Sequence, residues 1–542
     1  MGVVAMTEFI PWPAAEAELY RRKGMWTNQP LFNVLQKEAA DKVALIDECQ
    51  QWTYGQLNQS ARSLAQGILN LGLKTGDTVI LQMPNFGEFY EVFFACLMAG
   101  IRPVVALPAA RATELTALAM VSGAKAYFGF DQFHGYHYEK LAQQLRVETS
   151  IQWGVLAGDD HHQVSLANLY NDEPNFELPK IDANDIAFFQ LSGGTTGIPK
   201  LIPRTHNDYY YSVRRSAVVC GFLHTTRYLV ALPAAHNFPL SSPGALGALW
   251  AGGSVVLASQ PTASHCFELI AKHKVTVTAL VPPLLLSWLN EVPNQHQDLS
   301  SLSLIQVGGA KLGADVAKRV TPVFGCKLQQ VFGMAEGLVN YTRLDDEVDT
   351  IYHTQGRPMS SEDQVKVVDE ADQPVHSGDV GLLLTKGPYT IRGYYNAPEQ
   401  NARAFTSDGF YRTGDLVTQD SNGNISVVGR QKEQINRGGE KFATEEVESW
   451  LLSHPDVFNA AIIPVPDEVL GEKSCAYVEA KSGISVKQLK QFLFELDIAT
   501  YKIPDYLLFI DQLPKTAVGK IDKKSLRQHF DLGQRQHSGS HS

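Results

Sequence analysis

The segment Ser192-Gly-Gly-Thr-Thr-Gly-Ile-Pro-Lys200 puts three glycines, three hydroxyl side chains and a lysine directly after the apolar run at 186–191. That composition suits a polyphosphate. Gly193, Gly194 and Gly197 let backbone N–H groups curl around an anion, Ser192, Thr195 and Thr196 add hydroxyl donors, and Lys200 adds a cation. The spacing departs from G-x-x-x-x-G-K-[ST], which argues against a Walker-type triphosphatase. Taken alone, a Gly/Thr-rich turn is more often a surface connection, so the reading needs support from elsewhere in the chain. Further candidates are Glu336 in Phe332-Gly-Met-Ala-Glu336, Asp415 in Tyr411-Arg-Thr-Gly-Asp415, Arg430 and Lys432 in Gly429-Arg-Gln-Lys-Glu433, and Lys520 closing Pro514-Lys-Thr-Ala-Val-Gly-Lys520. Singly, each has a bland reading as a turn acid, a cap, a linker charge or one member of a basic run.

An α/β frame is expected to position these residues. Short β-rich apolar runs alternate with helical patterns between about residues 40 and 430, as at 77–83, 86–98 and 103–107, which argues for parallel sheets covered by helices. The rhythm returns at 227–233, 254–258, 275–281 and 303–307, so more than one sheet is expected there. Beyond residue 433 the pattern restarts on a smaller scale, with a helix near 443–453, strands near 458–463 and 476–479, and a helix capped by Ser485 whose face carries Val486, Leu489, Leu493 and Leu496. The expected division is a large N-terminal core at 1–430, a hinge at 431–433, a small mobile α/β domain at 434–530 and a structureless polar tail at 531–542.

A chain of 542 residues is long for one hydrophobic core. Its formal charge of −11 argues against nucleic-acid or anionic-membrane partners, since neither attracts an acidic protein at long range. No apolar run reaches the length of a membrane span, and the first residues lack a basic-then-apolar leader pattern, so a cytoplasmic location is expected. The 6 cysteines are scattered without a C-x-x-C pair or clustered histidines, which indicates neither a disulfide framework nor a zinc site.

Read together and in order, the loop and the four later segments resemble the acyl-adenylate-forming superfamily, which includes acyl-CoA synthetases, luciferases and nonribosomal-peptide adenylation domains. The resemblance spans about residues 30–528. It implies a large domain of packed sheets followed by a small mobile domain, with ATP and Mg²⁺ required. By that resemblance the 192–200 loop covers the β- and γ-phosphates, Glu336 helps to hold Mg²⁺, and Phe332, with Gly333, Met334 and Ala335, lies beside the adenosine. Gly308, Gly309 and Ala310 form the pocket edge, Asp415 accepts the ribose hydroxyls, and Arg430 supports the same sugar. Lys520 reaches the α-phosphate and the substrate carboxylate, and Lys432 is the hinge about which the small domain turns to admit a thiol. The residue types suit the chemistry: carboxylate attack on the α-phosphate builds negative charge that donors and a cation must meet.

The segment Ala234-Ala-His-Asn-Phe-Pro-Leu-Ser-Ser242 bears on the choice of acid. Adenylation domains for α-amino acids usually place an aspartate where this chain has Asn237, because a buried ammonium needs a counter-charge. An amide meets hydroxyls instead. The surrounding residues resemble the stand-alone aryl-acid adenylating enzymes of catechol-siderophore synthesis, which activate 2,3-dihydroxybenzoate. That implies Asn237 and Ser242 at the ring hydroxyls, Phe238 as an aromatic wall, His236 near the carboxylate and Val339 beside the 3-hydroxyl. The expected acceptor is the phosphopantetheine thiol of an aryl carrier protein on another chain. Salicylate as the acid, coenzyme A as the thiol, and a non-catalytic sensor on the same fold all stay open on the sequence.

Overall fold

The computed structural model describes residues 9–36, 39–158, 164–171, 176–192, 200–437, 440–467, 470–496, 500–516 and 520–538. Its largest element is a 9-stranded sheet in the order Arg357–Pro358, Val339–Tyr341, Lys327–Gly333, Leu304–Gly308, Val277–Leu280, Arg227–Val230, Ser254–Leu257, Val43–Ile46, Gln51–Thr53. The strands from Lys327–Gly333 through Val43–Ile46 run parallel, and antiparallel pairs close both edges. Strands such as Val277–Leu280 and Leu304–Gly308 are buried at every position, because helices cover both faces, so they read as continuous apolar runs rather than alternating ones. Helices Ala263–His273, Pro282–Glu291 and Ala314–Phe324 pack one face through Phe267, Trp288 and Val316.

A second sheet of 7 strands has Ile186–Leu191 near one edge, between Arg102–Val105 and the antiparallel strand Leu201–Thr205. A continuous apolar core joins the two large sheets through helices Tyr54–Asn70, Gly87–Ala99, His206–Val219 and Gly244–Trp250. The third sheet is antiparallel, in the order Gln364–Val368, Gly381–Lys386, Tyr411–Gln419, Ile425–Arg430. Residues Gln431–Glu433 form a single 3₁₀ turn leading from it into the last sheet, where Gln434–Arg437, Glu440–Ala443, Val457–Asp467, Gly471–Ala480 and Tyr506–Phe509 pair around a small separate core. The protein is thus a mixed α/β fold with a large N-terminal region of sheets and a small C-terminal domain.

Two details differ from the sequence reading. Ser485 does cap helix Val486–Glu495 through a capping box with Gln488, and Leu489 and Leu493 are fully buried, yet Val486 is 37% and Leu496 40% exposed. Those two residues sit at the helix ends, where the small core no longer reaches them. The last helix, Lys523–Ser538, also runs past residue 530 into the stretch read as a structureless tail. Leucine, arginine and glutamine, which stand at 532 and 534–536, are good helix formers and sustain the backbone there without an apolar stripe. All 6 cysteines are free, and only Cys49 is exposed. Among the described residues no helix is long and apolar enough to cross a membrane, and no cluster of three or more His, Cys, Asp or Glu could hold a metal ion.

Candidate functional site

The two large sheets and the antiparallel sheet bring distant segments to one cleft. Ser192 and Lys200 form the feet of the glycine loop: Ser192 N–H donates to the Lys200 carbonyl at 3.1 Å, and the Lys200 N–H donates to Ser192 Oγ at 3.2 Å. Gly193, Gly194, Thr195, Thr196 and Gly197 lie outside the described residues, so only the loop's base can be placed. The Lys200 ammonium stands 4.7 Å from the centroid of the Tyr394 ring. Tyr394 in turn donates its hydroxyl to Glu336 Oε1 at 2.8 Å, and its oxygen lies 3.0 Å from that of Tyr411. Lys200 and Glu336 are therefore tied through one tyrosine.

Glu336 belongs to the tight turn after strand Lys327–Gly333. The turn is closed by hydrogen bonds from Met334 N to the Leu338 carbonyl and from Gly337 N to the Met334 carbonyl. Its backbone is held from outside by Arg204, which donates to the Ala335 carbonyl at 2.7 Å and to the Tyr389 carbonyl at 3.1 Å while paired with Asp208 at 2.6 Å. Arg204 and Asp208 are almost wholly buried, so each charge depends on the other and on these carbonyls. A lone buried carboxylate fits Mg²⁺, an ion that usually keeps water and phosphate oxygens for most of its coordination positions and takes only one or two protein carboxylates.

Phe332 closes the same strand, its carbonyl accepting from Asn340 Nδ2 at 3.2 Å, with Gly333 next to it. Gly308 ends the neighbouring strand. A Cβ on Gly308 would lie 2.7 Å from the Val331 carbonyl oxygen and 3.1 Å from the Phe238 ring, so glycine is what lets that ring pack there. Gly309 has φ +83°, and Ala310 follows it on the exposed rim.

Asp415 and Arg430 are directly opposed in the antiparallel sheet. Arg430 Nε meets Asp415 Oδ1 at 3.0 Å, but Asp415 Oδ2 is buried without a partner. Desolvation pushes the Asp415 carboxyl up, against the pull of Arg430 and Lys520. A buried acceptor left open in this way is the kind of group a ligand hydroxyl satisfies.

Lys520 arrives from the small domain. Its Cε would stand 3.8 Å from a Cβ placed on Gly309, so the lysine crosses to the large domain. Desolvation in the cleft lowers its pKa, and the Arg430 guanidinium adds to this, while Asp415, Glu433 and Glu336 oppose it; solvent still reaches the side chain. His236, the residue before helix Asn237–Ser241, has its pKa pushed down to about 4 by burial and by the Lys520 ammonium. It is the neutral imidazole at neutral pH, with Nδ1 accepting from Phe238 N at 3.3 Å. Phe238, Ser242 and Val339 are buried, and Asn237 is half-buried. Lys432 lies in the 3₁₀ turn between the domains.

The structure thus brings Glu336, Asp415, Arg430, Gly309 and His236 around Lys520, with Lys200 tied to Glu336 through Tyr394 and Phe238 packed on Gly308. Reading the sequence left out Arg204, Tyr209, Tyr389 and Tyr394. Their contacts span large sequence separations, and the only local hint is the density of tyrosine and arginine at 204–215 and 389–395.

The AMP-binding enzyme family matches residues 32–395, and the AMP-binding enzyme C-terminal domain matches residues 446–520. The chain belongs to the AMP-binding enzyme family. It is 54% identical over 535 residues to the vibriobactin-specific 2,3-dihydroxybenzoate-AMP ligase of Vibrio cholerae, covering 97% of this chain and 98% of that one. It is 49% identical over 525 residues to the 2,3-dihydroxybenzoate-AMP ligase of Bacillus subtilis, covering 96% and 97%. Among solved structures, the apo form of MbtA from Mycobacterium smegmatis superposes with a TM-score of 0.75 at 42% identity, covering 96% of this chain and 98% of that one.

Proposed function

We propose that this chain is a ligase that activates 2,3-dihydroxybenzoate with ATP and then passes the acyl group to the phosphopantetheine thiol of an aryl carrier protein on another chain, in siderophore synthesis. In the first step a carboxylate oxygen attacks the α-phosphorus of ATP, the bond to the bridging oxygen breaks, and pyrophosphate leaves. In the second step the thiol sulfur replaces AMP at the carbonyl carbon. A cytoplasmic setting belongs to this reading and is supported by six unpaired thiols.

Each residue has a task in this mechanism. Asp415 Oδ2 takes a ribose hydroxyl and Arg430 steadies that carboxylate, while Phe332, Gly333, Met334, Ala335, Gly309 and Ala310 border the adenosine. The loop from Ser192 to Lys200 holds the β- and γ-phosphates. Mg²⁺, when bound at Glu336, would offset phosphate charge. Lys520 supplies the cation beside the forming P–O bond, where charge grows most. His236 stays neutral next to it, so the acid's carboxylate meets a hydrogen-bonding group without having its negative charge neutralised. Phe238, packed against Gly308, forms one wall for an aromatic ring; Asn237, Ser242 and Val339 surround its hydroxyls.

The observation that carries this reading is the neutral acid pocket. Asn237, Ser242, Phe238 and Val339 include no carboxylate to pair with an α-ammonium, and that favours a planar hydroxylated acid over an amino acid. The test is acid-dependent ATP–pyrophosphate exchange with 2,3-dihydroxybenzoate, salicylate, benzoate and several amino acids. Exchange is expected with the dihydroxy acid first. Exchange with amino acids alone would overturn the substrate assignment, and none with any acid would overturn the ligase reading.

A further inference from the structure

The Asn237 carboxamide is held by more protein groups than packing requires. Its Oδ1 receives the Tyr209 hydroxyl at 2.8 Å, and the one Ser241 proton is shared between Oδ1 at 3.3 Å and the Asn237 main-chain carbonyl at 3.4 Å. A carboxamide oxygen has two lone pairs, and each has a protein hydroxyl within reach. On the other side, Nδ2 lies 3.5 Å from Ser242 Oγ, which engages one of its two N–H groups. What the side chain still offers the pocket is a donor.

Tyr209 is built to keep it so. It sits on helix His206–Val219 with no solvent exposure, its ring edge-on to Phe188 at 4.7 Å between centroids and 4.7 Å from the Arg204 guanidinium. The phenol pKa is pushed up to about 12 by burial, so the group carries its proton at any working pH. The Asn237 oxygen, at 2.8 Å, is the acceptor of the phenol O–H.

We propose that Tyr209 and Ser241 are positioning residues for specificity: they turn the Asn237 carboxamide so that its N–H faces the acid, and the site thereby selects an acid whose ortho substituent accepts a hydrogen bond. This rests on the aryl-acid reading above. Asn237 follows His236 at the carboxylate end of the pocket, which places its amide beside the ortho position of the ring. A 2-hydroxyl oxygen accepts there while its own proton turns to the neighbouring carboxylate. A 2-amino group, a donor whose nitrogen lone pair is delocalised into the ring, meets the N–H as donor against donor.

The experiment is kcat/KM in ATP–pyrophosphate exchange for salicylate, 2-aminobenzoate and benzoate, with the unmodified protein, Tyr209→Phe and Ser241→Ala. Tyr209→Phe keeps the ring and its packing, and Ser241→Ala removes the second hydroxyl. In the unmodified protein salicylate should exceed 2-aminobenzoate by about 10²-fold, the cost of leaving one buried polar group unpaired. In Tyr209→Phe the amide is free to turn, and that ratio should fall by about 10-fold or more, with a smaller fall in Ser241→Ala and KM for ATP unchanged in both. Equal loss for all three acids, or an unmoved ratio in both variants, would overturn the inference and leave the aryl-acid reading standing. No exchange with any benzoate in the unmodified protein would overturn both.

Discussion

Lys520 and Asp415 occupy the same cleft and are shifted for the same reason, removal of water, which disfavours the charged form of each. In the proposed mechanism Lys520 supplies the cation where charge grows, so Lys520→Ala should lower acid-dependent exchange by about 10²-fold or more while substrate binding changes far less. Pyrophosphate exchange and equilibrium ATP binding, measured side by side, check this. A second residue-scale prediction concerns stability. His206 is 2% exposed, accepts a hydrogen bond from Leu31 N at 3.0 Å, and has its pKa pushed down to about 3 by burial. Because its folded pKa lies below its unfolded one, the unfolded chain binds the extra proton first, and stability is lost as pH falls below about 6.5. Between pH 6.5 and 5 this amounts to about 2 kcal/mol. Urea unfolding at pH 7 and pH 5 should show the acid loss reduced by about that amount in His206→Gln, whose amide oxygen can still accept the bond. The charged and hydroxylated residues of the site were legible as types in fixed spacings. The tyrosines that hold them were not, because a phenol buried by neighbours distant in the chain, as Tyr394 is by Glu336 and Lys200, has no local signature.

At the scale of elements, the strand ends do the positioning. Gly308 and Phe332 close adjacent parallel strands, which is where an open α/β sheet presents its loops to a ligand. Gly308→Ala would drive a methyl group to 2.7 Å from the Val331 carbonyl oxygen and into the Phe238 ring. We expect kcat/KM for the aryl acid to fall by about 10-fold and stability by about 1–3 kcal/mol, with KM for ATP little changed. Kinetics with each substrate varied in turn would check it; a loss confined to the ATP terms would contradict the role given to Phe238. The strands themselves were readable from apolar runs, since burial on both faces leaves no alternation to misread. Amphipathic helices were less so: in Val486–Glu495 the periodicity marks four apolar residues, yet the small core covers only Leu489 and Leu493.

On the scale of the whole molecule, the only covalent link between the antiparallel sheet and the last sheet is the turn Gln431–Glu433. Lys523, three residues after Lys520, meets Glu448 Oε1 at 2.8 Å and Thr444 Oγ1 at 2.7 Å, with Glu433 of the turn at 3.8 Å. The arm that carries Lys520 is thus strapped both to its own domain and to the turn Gln431–Glu433. Lys432→Pro should leave adenylate formation largely intact, because this orientation already places Lys520 in the cleft, and should slow thioester formation by about 10-fold or more, since proline fixes φ and removes a backbone donor where the chain must turn. Separate assays of the two half-reactions check it, and equal loss in both would refute the hinge. The sequence by itself determined the α/β alternation, the break near residue 430, the anion-suited loop and the absence of a carboxylate at position 237, because all of these are matters of residue type and local spacing. Tertiary structure alone decided that Lys520 crosses to Gly309, that Tyr394 ties Lys200 to Glu336, that Asp415 keeps one oxygen free, and that Tyr209 turns the Asn237 amide. Each of those depends on which buried groups are left to satisfy one another once water is gone, and no local pattern records that.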